Sequence, residues 1–294
     1  MKRVLWLAGL IIFSLVMIAE GSGPKEGDVP RNFVLFFEVL DYTRELGDAV
    51  TYFFNEVLQP GDQLIVYTPA RVYGFSKITL ARPKRELIAT MQEKLRGDTA
   101  VCSSNYKIII NDMKNQARDI ENSETATADG QAGLKNSLVV YRQDMDNLQA
   151  LRKVNVTLLM QIANMFKTQQ GKNHMVMMYQ AEFRPIPNKD TLSRLRAIPI
   201  ISFQAIELFS SDSQKVPLDA EKFIDIFAEV PLTLHFLYIK PKDASSVQDF
   251  KEHSADMYDV FAKIAKATGG IVETTANPEA ALKSLVQAIG ESAK

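Results

Sequence analysis

Residues 33–37 of this chain, Phe-Val-Leu-Phe-Phe, are apolar at five consecutive positions. A strand with one wet face alternates apolar and polar residues. A strand that does not alternate must be covered on both faces. Residues 63–68 (QLIVYT), 174–179 (HMVMMY) and 232–239 (LTLHFLYI) share this character, and 71–76 and 271–274 are shorter candidates, the last an edge strand. Between them lie segments with helical spacing, such as Leu46, Val50, Phe53, Phe54 and Val57. Buried strands alternating with helices predict an α/β fold, with a doubly wound, mostly parallel central sheet and helices on both faces. A chain of 294 residues, 46% of them hydrophobic, can bury such a core. There is no internal repeat.

The first 21 residues follow a different pattern. Lys2 and Arg3 precede an apolar run over 4–18, and Ala19-Glu20-Gly21 supplies small residues for cleavage. The run is short for a membrane span, so residues 1–21 are expected to be a signal peptide. The alternative is an uncleaved anchor. Residues 22–31, rich in Gly, Pro and charge, are expected to be a linker, and 32–294 the folded domain. The protein is then exported, to a periplasmic or extracellular location, with no stable membrane insertion after cleavage. Cys102 is the only cysteine, which excludes an intrachain disulfide and a cysteine-based zinc cluster. The formal net charge of −1 gives no overall basic field toward nucleic acid or anionic lipid.

Pro83 suits the first turn of a helix expected to end near Leu95. Tyr106, Ile109, Ile110, Met113, Ala117 and Ile120 then share one helical face. Residues 123–133 are expected to form a loop, and Leu134, Leu138, Tyr141, Met145 and Leu148 the return seam, with that helix continuing toward Phe166. A helical hairpin inserted at about 105–152 follows. A helix over 191–209, kinked at Pro199, and a Ser245/Gln248 capping box opening the helix that runs through Ala267 are also expected. Asp219 is expected to cap the helix containing Phe223.

Several segments resemble the von Willebrand factor A family, in particular bacterial secreted proteins of VWFA-related type. They are "RNFVLFFEVLDYTRELGDAVTYFFNEVLQPGDQLIVYT", "KNHMVMMYQ", "LTLHFLYIKP" and "AKIAKATGGIVETTANPEAALKSLVQAI". The resemblance implies a metal-ion-dependent adhesion site at the carboxyl end of the sheet. Its ligands are a D-x-S-x-S pattern after the first strand, a later Thr, and an Asp after the fourth strand. Here the first pattern falls on Glu38, Leu40 and Tyr42, and the Asp falls on Gln180. Thr99, Ser103 and Ser104 are candidates for the hydroxyl, with Ser103 or Ser104 favoured because Asn-Tyr and a helix follow. Leu40 cannot ligate and Tyr42 is too large to copy a serine. Too few hard oxygens remain for Mg²⁺ or Ca²⁺, even with Asp41 and Glu182 available for recruitment. The expectation is a degenerate metal site and no cofactor.

No catalytic motif accompanies this pattern. The three histidines, His174, His235 and His253, have no metal spacing. There is no G-x-S-x-G elbow and no phosphate loop. The expected function is a non-enzymatic, exported protein-interaction module of von Willebrand A-like type. Its partner is another protein and not nucleic acid. Glu38, Leu40, Tyr42, Ser103, Ser104 and Gln180 form the candidate interaction face. The alternatives are a metal-dependent adhesion domain using Glu38 with other ligands, and an enzyme of unrecognised class.

Overall fold

The computed structural model describes residues 30–124, 127–152, 155–209, 220–240 and 249–291. The expected signal peptide, most of the expected linker, Asp219, and the Ser245/Gln248 pair lie outside the described residues.

Six strands form the central sheet in the order β3-β2-β1-β4-β6-β8. β1 (Arg31–Glu38) pairs in parallel with β2 (Gln63–Tyr67) and with β4 (Lys172–Gln180). β6 (Leu232–Ile239) continues in parallel and β8 (Val272–Thr275) closes that edge. β3 (Val72–Phe75) is antiparallel to β2 at the other edge. This is the doubly wound, mostly parallel sheet that the unalternating strands require. Arg31, expected in the linker, is the first residue of β1: it pairs with Lys172, and its guanidinium bridges Asp62 and the Val57 carbonyl.

Alternate residues of β1 feed opposite cores. Phe33, Leu35 and Phe37 pack with α1 (Arg44–Tyr52), the first part of α3 (Lys84–Asn122) and α10 (Pro278–Glu291). Val34 and Phe36 pack with α5 (Val156–Lys167), α8 (Ala220–Ala228) and α9 (Ala255–Ala267). Thr43 caps α1 by accepting from the Leu46 N–H, and the helix widens into one π turn at Phe53–Val57. Between β3 and α3 lies a single helical turn, α2 (Lys77–Leu80), capped by Ser76. At the start of β4, Gly171 has φ +114°. A Cβ there would lie 2.2 Å from the Pro30 carbonyl oxygen, which accepts from Lys172 N, so only glycine allows β1 and β4 to begin together.

Five expectations about the helices need correction. The helix starting at Pro83 does not end near Leu95. α3 runs unbroken for 39 residues to Asn122, about 58 Å at 1.5 Å per residue. Gly97 is the one strong breaker inside it, and a single glycine costs only about 1 kcal/mol. The 123–133 loop is shorter, because Thr127 caps α4 (Ala128–Leu151), accepting from Gly130 N, and Gly130 and Gly133 are helical. α4 and α5 are separate helices, the second capped by Asn155. Finally, 191–209 is two helices, α6 (Lys189–Arg196) and α7 (Pro199–Phe209), since the residue before proline resists helical geometry. Residues 183–185 form a short strand, β5 (Phe183–Pro185). β5 pairs antiparallel with β7 (Phe250–Glu252), which occupies part of the region expected to be helix before Ser254.

The α3–α4 hairpin is present, but it is not self-contained. Met113, Ile120, Leu134, Leu138, Tyr141 and Leu148 share a third core with Leu195 of α6 and Ile201, Ala205, Leu208 and Phe209 of α7. Tyr141 donates to the Pro185 carbonyl of β5. Arg142 of α4 makes a forked ion pair with Glu207 of α7, at 2.8 and 2.7 Å.

Candidate functional site

In an open α/β sheet, ligands bind at the carboxyl ends of the strands where the winding reverses. Here β1 has β2 on one side and β4 on the other, so the reversal lies between the ends of β1 and β4. Four of the six sequence-derived positions converge there: Glu38, Leu40, Tyr42 and Gln180.

Gln180 decides the geometry. Its Oε1 accepts hydrogen bonds from the backbone N–H groups of Leu40 and Asp41, each at 2.8 Å. Two backbone donors fix which end of the amide points inward. A neutral side chain on β4 therefore holds the loop after β1, which is the work a shared metal ion would do with anionic oxygens. Leu40 contributes its backbone N–H to this seal. Tyr42 packs against α1, its hydroxyl 2.5 Å from where a Cβ on Gly47 would sit, and the Arg96 guanidinium of α3 lies 4.9 Å from the centre of its ring. A large aromatic at this position therefore ties the loop to two helices.

α3 crosses over this end of the sheet. Asp98 accepts from Thr68 Oγ1 and Tyr73 OH beside β2 and β3. Further along, Lys107 pairs with Asp41 at 2.6 Å, Tyr106 donates to the Phe183 carbonyl, and Lys114 lies over the Phe250 ring. These contacts lay the helix across the ends of β2, β1 and β4 in turn. Ser103 and Ser104 do not sit in a ligand loop as expected, because nothing interrupts the helix there. Ser103 is buried, and Ser104 is exposed with its hydroxyl on the Val101 carbonyl of its own helix. Thr99, the disfavoured candidate, is the residue whose hydroxyl is buried with no hydrogen-bond partner among the described residues.

The carboxylates are accounted for individually. Asp41 is paired with Lys107. Glu182 is buried and meets Arg152 Nε at 2.9 Å, His253 Nε2 at 3.1 Å and the Tyr179 hydroxyl at 2.6 Å. Despite its burial, these partners hold its carboxyl below the usual range. Arg152 also reaches Asp256 at 2.6 Å. Ser254 extends the network, accepting from Glu182 N and meeting Tyr238 OH at 2.6 Å, while Tyr238 and Lys240 both reach Glu252. Glu38 keeps access to solvent at the mouth of the site but is crowded by protein. Desolvation first, and the Glu182 charge second, push its carboxyl up to about 7. A divalent cation needs several ionised oxygens free to turn toward it. The residues present do not fit one. Among the described residues no group of three or more His, Cys, Asp and Glu is placed to hold a metal.

A second buried pair lies at the opposite end of the sheet. His235 Nδ1 faces the Ile271 N–H at 3.3 Å, and its Nε2 faces His174 Nδ1 at 3.3 Å. An N–H can only donate, so His235 carries its hydrogen on Nε2 and passes a donor to His174. His174 then carries its own hydrogen on Nε2, buried and without a partner among the described residues. The two rings stack on each other, and His174 also stacks on Phe33. At this end, too, lies a hollow of about 260 Å³, bordered by Asn32, Gln63, Phe75, Phe166 and Gln169.

Glu38, Leu40, Tyr42 and Gln180 are the residues that sequence reasoning brought to this end of the sheet; it missed the roles of Arg152, His253 and Asp256. The one signal for Arg152 is its position at the close of a helical seam, where a buried charge caps α4.

No family model matches the chain, and no curated protein matches it. A solved structure that matches is the crystal structure of the TFIIH p34 N-terminal domain, at 9% identity, covering 88% of this chain and 97% of that one. The TM-score is 0.29, too low to carry an argument. The fold class rests on the sheet itself.

Proposed function

We propose that this protein is an exported, non-catalytic protein-interaction module of von Willebrand A-like type, in which the family's metal site has become a hydrogen-bonded seal. The observation that carries this reading is Gln180 Oε1 bridging the Leu40 and Asp41 amides. The same two loops that a cation would join are joined here by a neutral amide. The surrounding charges support the reading, because Asp41 and Glu182 already have cationic partners. Export is the finer part of the proposal and rests on Lys2, Arg3 and the apolar run over 4–18.

With α3 laid over the strand ends, contact with another protein falls to the helical unit of α3, α4, α6 and α7. α7 is apolar beyond what its buried face needs: Ile200 and Phe203 are 77% and 79% exposed. Monomeric surfaces rarely present large apolar side chains together without a use.

The test is a partner capture from the native envelope fraction with the mature chain as bait. Capture should survive chelator and be lost in Ile200→Asp/Phe203→Asp, with the melting temperature held. Calorimetry should show no Mg²⁺ or Ca²⁺ site. Release by chelator, or a tight metal site that vanishes in Glu38→Ala, would replace this reading with metal-dependent adhesion.

A further inference from the structure

The turn between β3 and α3 carries charge that the fold does not use. Residues 76–85, SKITLARPKR, hold four basic residues and no acidic one, in a chain of net charge −1. The remainder of the molecule is therefore net acidic, and this turn is its local opposite. Lys77, Arg82, Lys84 and Arg85 are all exposed. Lys84 Nζ reaches the Asn55 carbonyl, but Lys77, Arg82 and Arg85 form no ion pair with a described residue.

Ile78 stands among these charges. It is 85% exposed, the most exposed large hydrophobic residue described. Its position is set rather than frayed: Ser76 Oγ accepts from Thr79 N, and Ala81 N–H reaches the Lys77 and Thr79 carbonyls. A fixed turn that lifts an isoleucine clear of the surface in a segment with four exposed cations has two complementary features. Cations attract a negatively charged surface, and the apolar tip gains only where that surface has a hydrocarbon layer beneath it. Nucleic acid offers the charge without the layer.

The turn's place in the fold agrees. The register pairs Asn32 with Gln63 and Leu64 with Phe75, so β1 begins and β3 ends at the same end of the sheet. The chain enters the fold at Pro30–Arg31, on the end that carries the turn. Residues 4–18, wherever they remain attached, join the fold at this end.

We propose that the α2 turn and the start of α3 dock the protein on an anionic lipid surface, with Ile78 entering the headgroup layer and Lys77, Arg82 and Arg85 meeting lipid phosphates. The contact is peripheral and distinct from the interaction surface proposed for the hairpin end.

The test uses the full chain with an environment-sensitive fluorophore at Ile78→Cys, in a Cys102→Ser background. A matched probe goes at Asp129→Cys on the hairpin tip. Mixed phosphatidylcholine–phosphatidylglycerol vesicles should shift the emission at position 78 to the blue and leave position 129 unchanged. The shift should fade with added salt. Each of Lys77→Gln, Arg82→Gln and Arg85→Gln should weaken vesicle affinity about fivefold, with unchanged melting temperatures because all three are exposed. An equal shift with pure phosphatidylcholine vesicles, an equal shift at both probe positions, no shift, or affinity unchanged in the triple glutamine variant would each overturn the proposal. So would RNA that binds as tightly as the vesicles and is lost in the same triple variant, since that outcome marks a general polyanion site.

Discussion

Arg152 Nε lies 2.9 Å from Glu182 Oε2, with the two side chains only 2% and 9% exposed. This ion pair joins the end of the hairpin to the segment after β4. Removing one member leaves the other charge buried and unmatched, which costs about 3–5 kcal/mol. Arg152→Ala is expected to destabilise by that order, read from urea unfolding. Arg152→Met/Glu182→Leu together should recover part of the loss, because the more deeply buried Glu182 charge is then gone and only Asp256, 16% exposed, lacks its arginine.

Gln180→Leu removes the acceptor shared by the Leu40 and Asp41 amides. The loss is about 1–3 kcal/mol, and it is local. Hydrogen exchange should accelerate at residues 40 and 41 while the β4 amides keep their protection. Unchanged exchange at both amides would mean the loop is held by Tyr42 and Lys107 alone.

The stacked histidines set an acid limit. Burial, before the nearby charges of Arg31 and Lys172, pulls His174 down to about 4, and burial with the neighbouring ring pulls His235 to about 3. The unfolded chain binds these protons near 6.5, and the folded chain does not. Stability is therefore full above about 6.5 and falls as the pH drops from there toward 3–4. His235→Gln should flatten this part of the curve. Unfolding free energy measured between pH 8 and 4 reads it directly; equal slopes in wild type and variant would contradict the assignment.

Glu38 acts in the opposite sense. Its folded pKa is raised to about 7, so its contribution is fully present below the unfolded value of 4.5 and is lost as the pH rises through 7. Glu38→Gln should be more stable than wild type at pH 8, with the difference closing toward acid. A carboxyl signal titrating near 4.5 in the folded protein, seen by NMR, would contradict this.

Replacing residues 111–144 with a Gly/Ser linker is expected to cost the fold. The deletion strips the partners from Leu195, Ile201, Leu208 and Phe209, and from Pro185. Buried leucines and phenylalanines left bare cost several kcal/mol each. A monomeric product that melts cooperatively would show the hairpin to be separable.

The central strands were legible because each is short, apolar almost throughout and bounded by turns. β1, β4 and β6 stand within two residues of their expected ends. The meeting of Leu40 and Gln180 was legible for a related reason: each stands just past the end of an unalternating strand, and β1 and β4 pair in parallel. α3 was not legible, since Gly97 looks like a stop, and only packing against α1 and the sheet overrides its propensity. The Arg152–Glu182–His253 network was hidden for a deeper reason. Its members are separated in the chain, and each charge is tolerable only because the others arrive from different elements. Ser103 and Ser104 were misjudged because their helical state depends on that same unbroken α3.

α3 runs from the basic turn to the hairpin tip without a joint other than Gly97. A helix of that length is a stiff strut, and here it is pinned mid-span by Asp98, Tyr106 and Lys107. A load applied at the hairpin is thus delivered to the opposite end of the molecule along one covalent rod, with the pinned stretch over the sheet as its fulcrum.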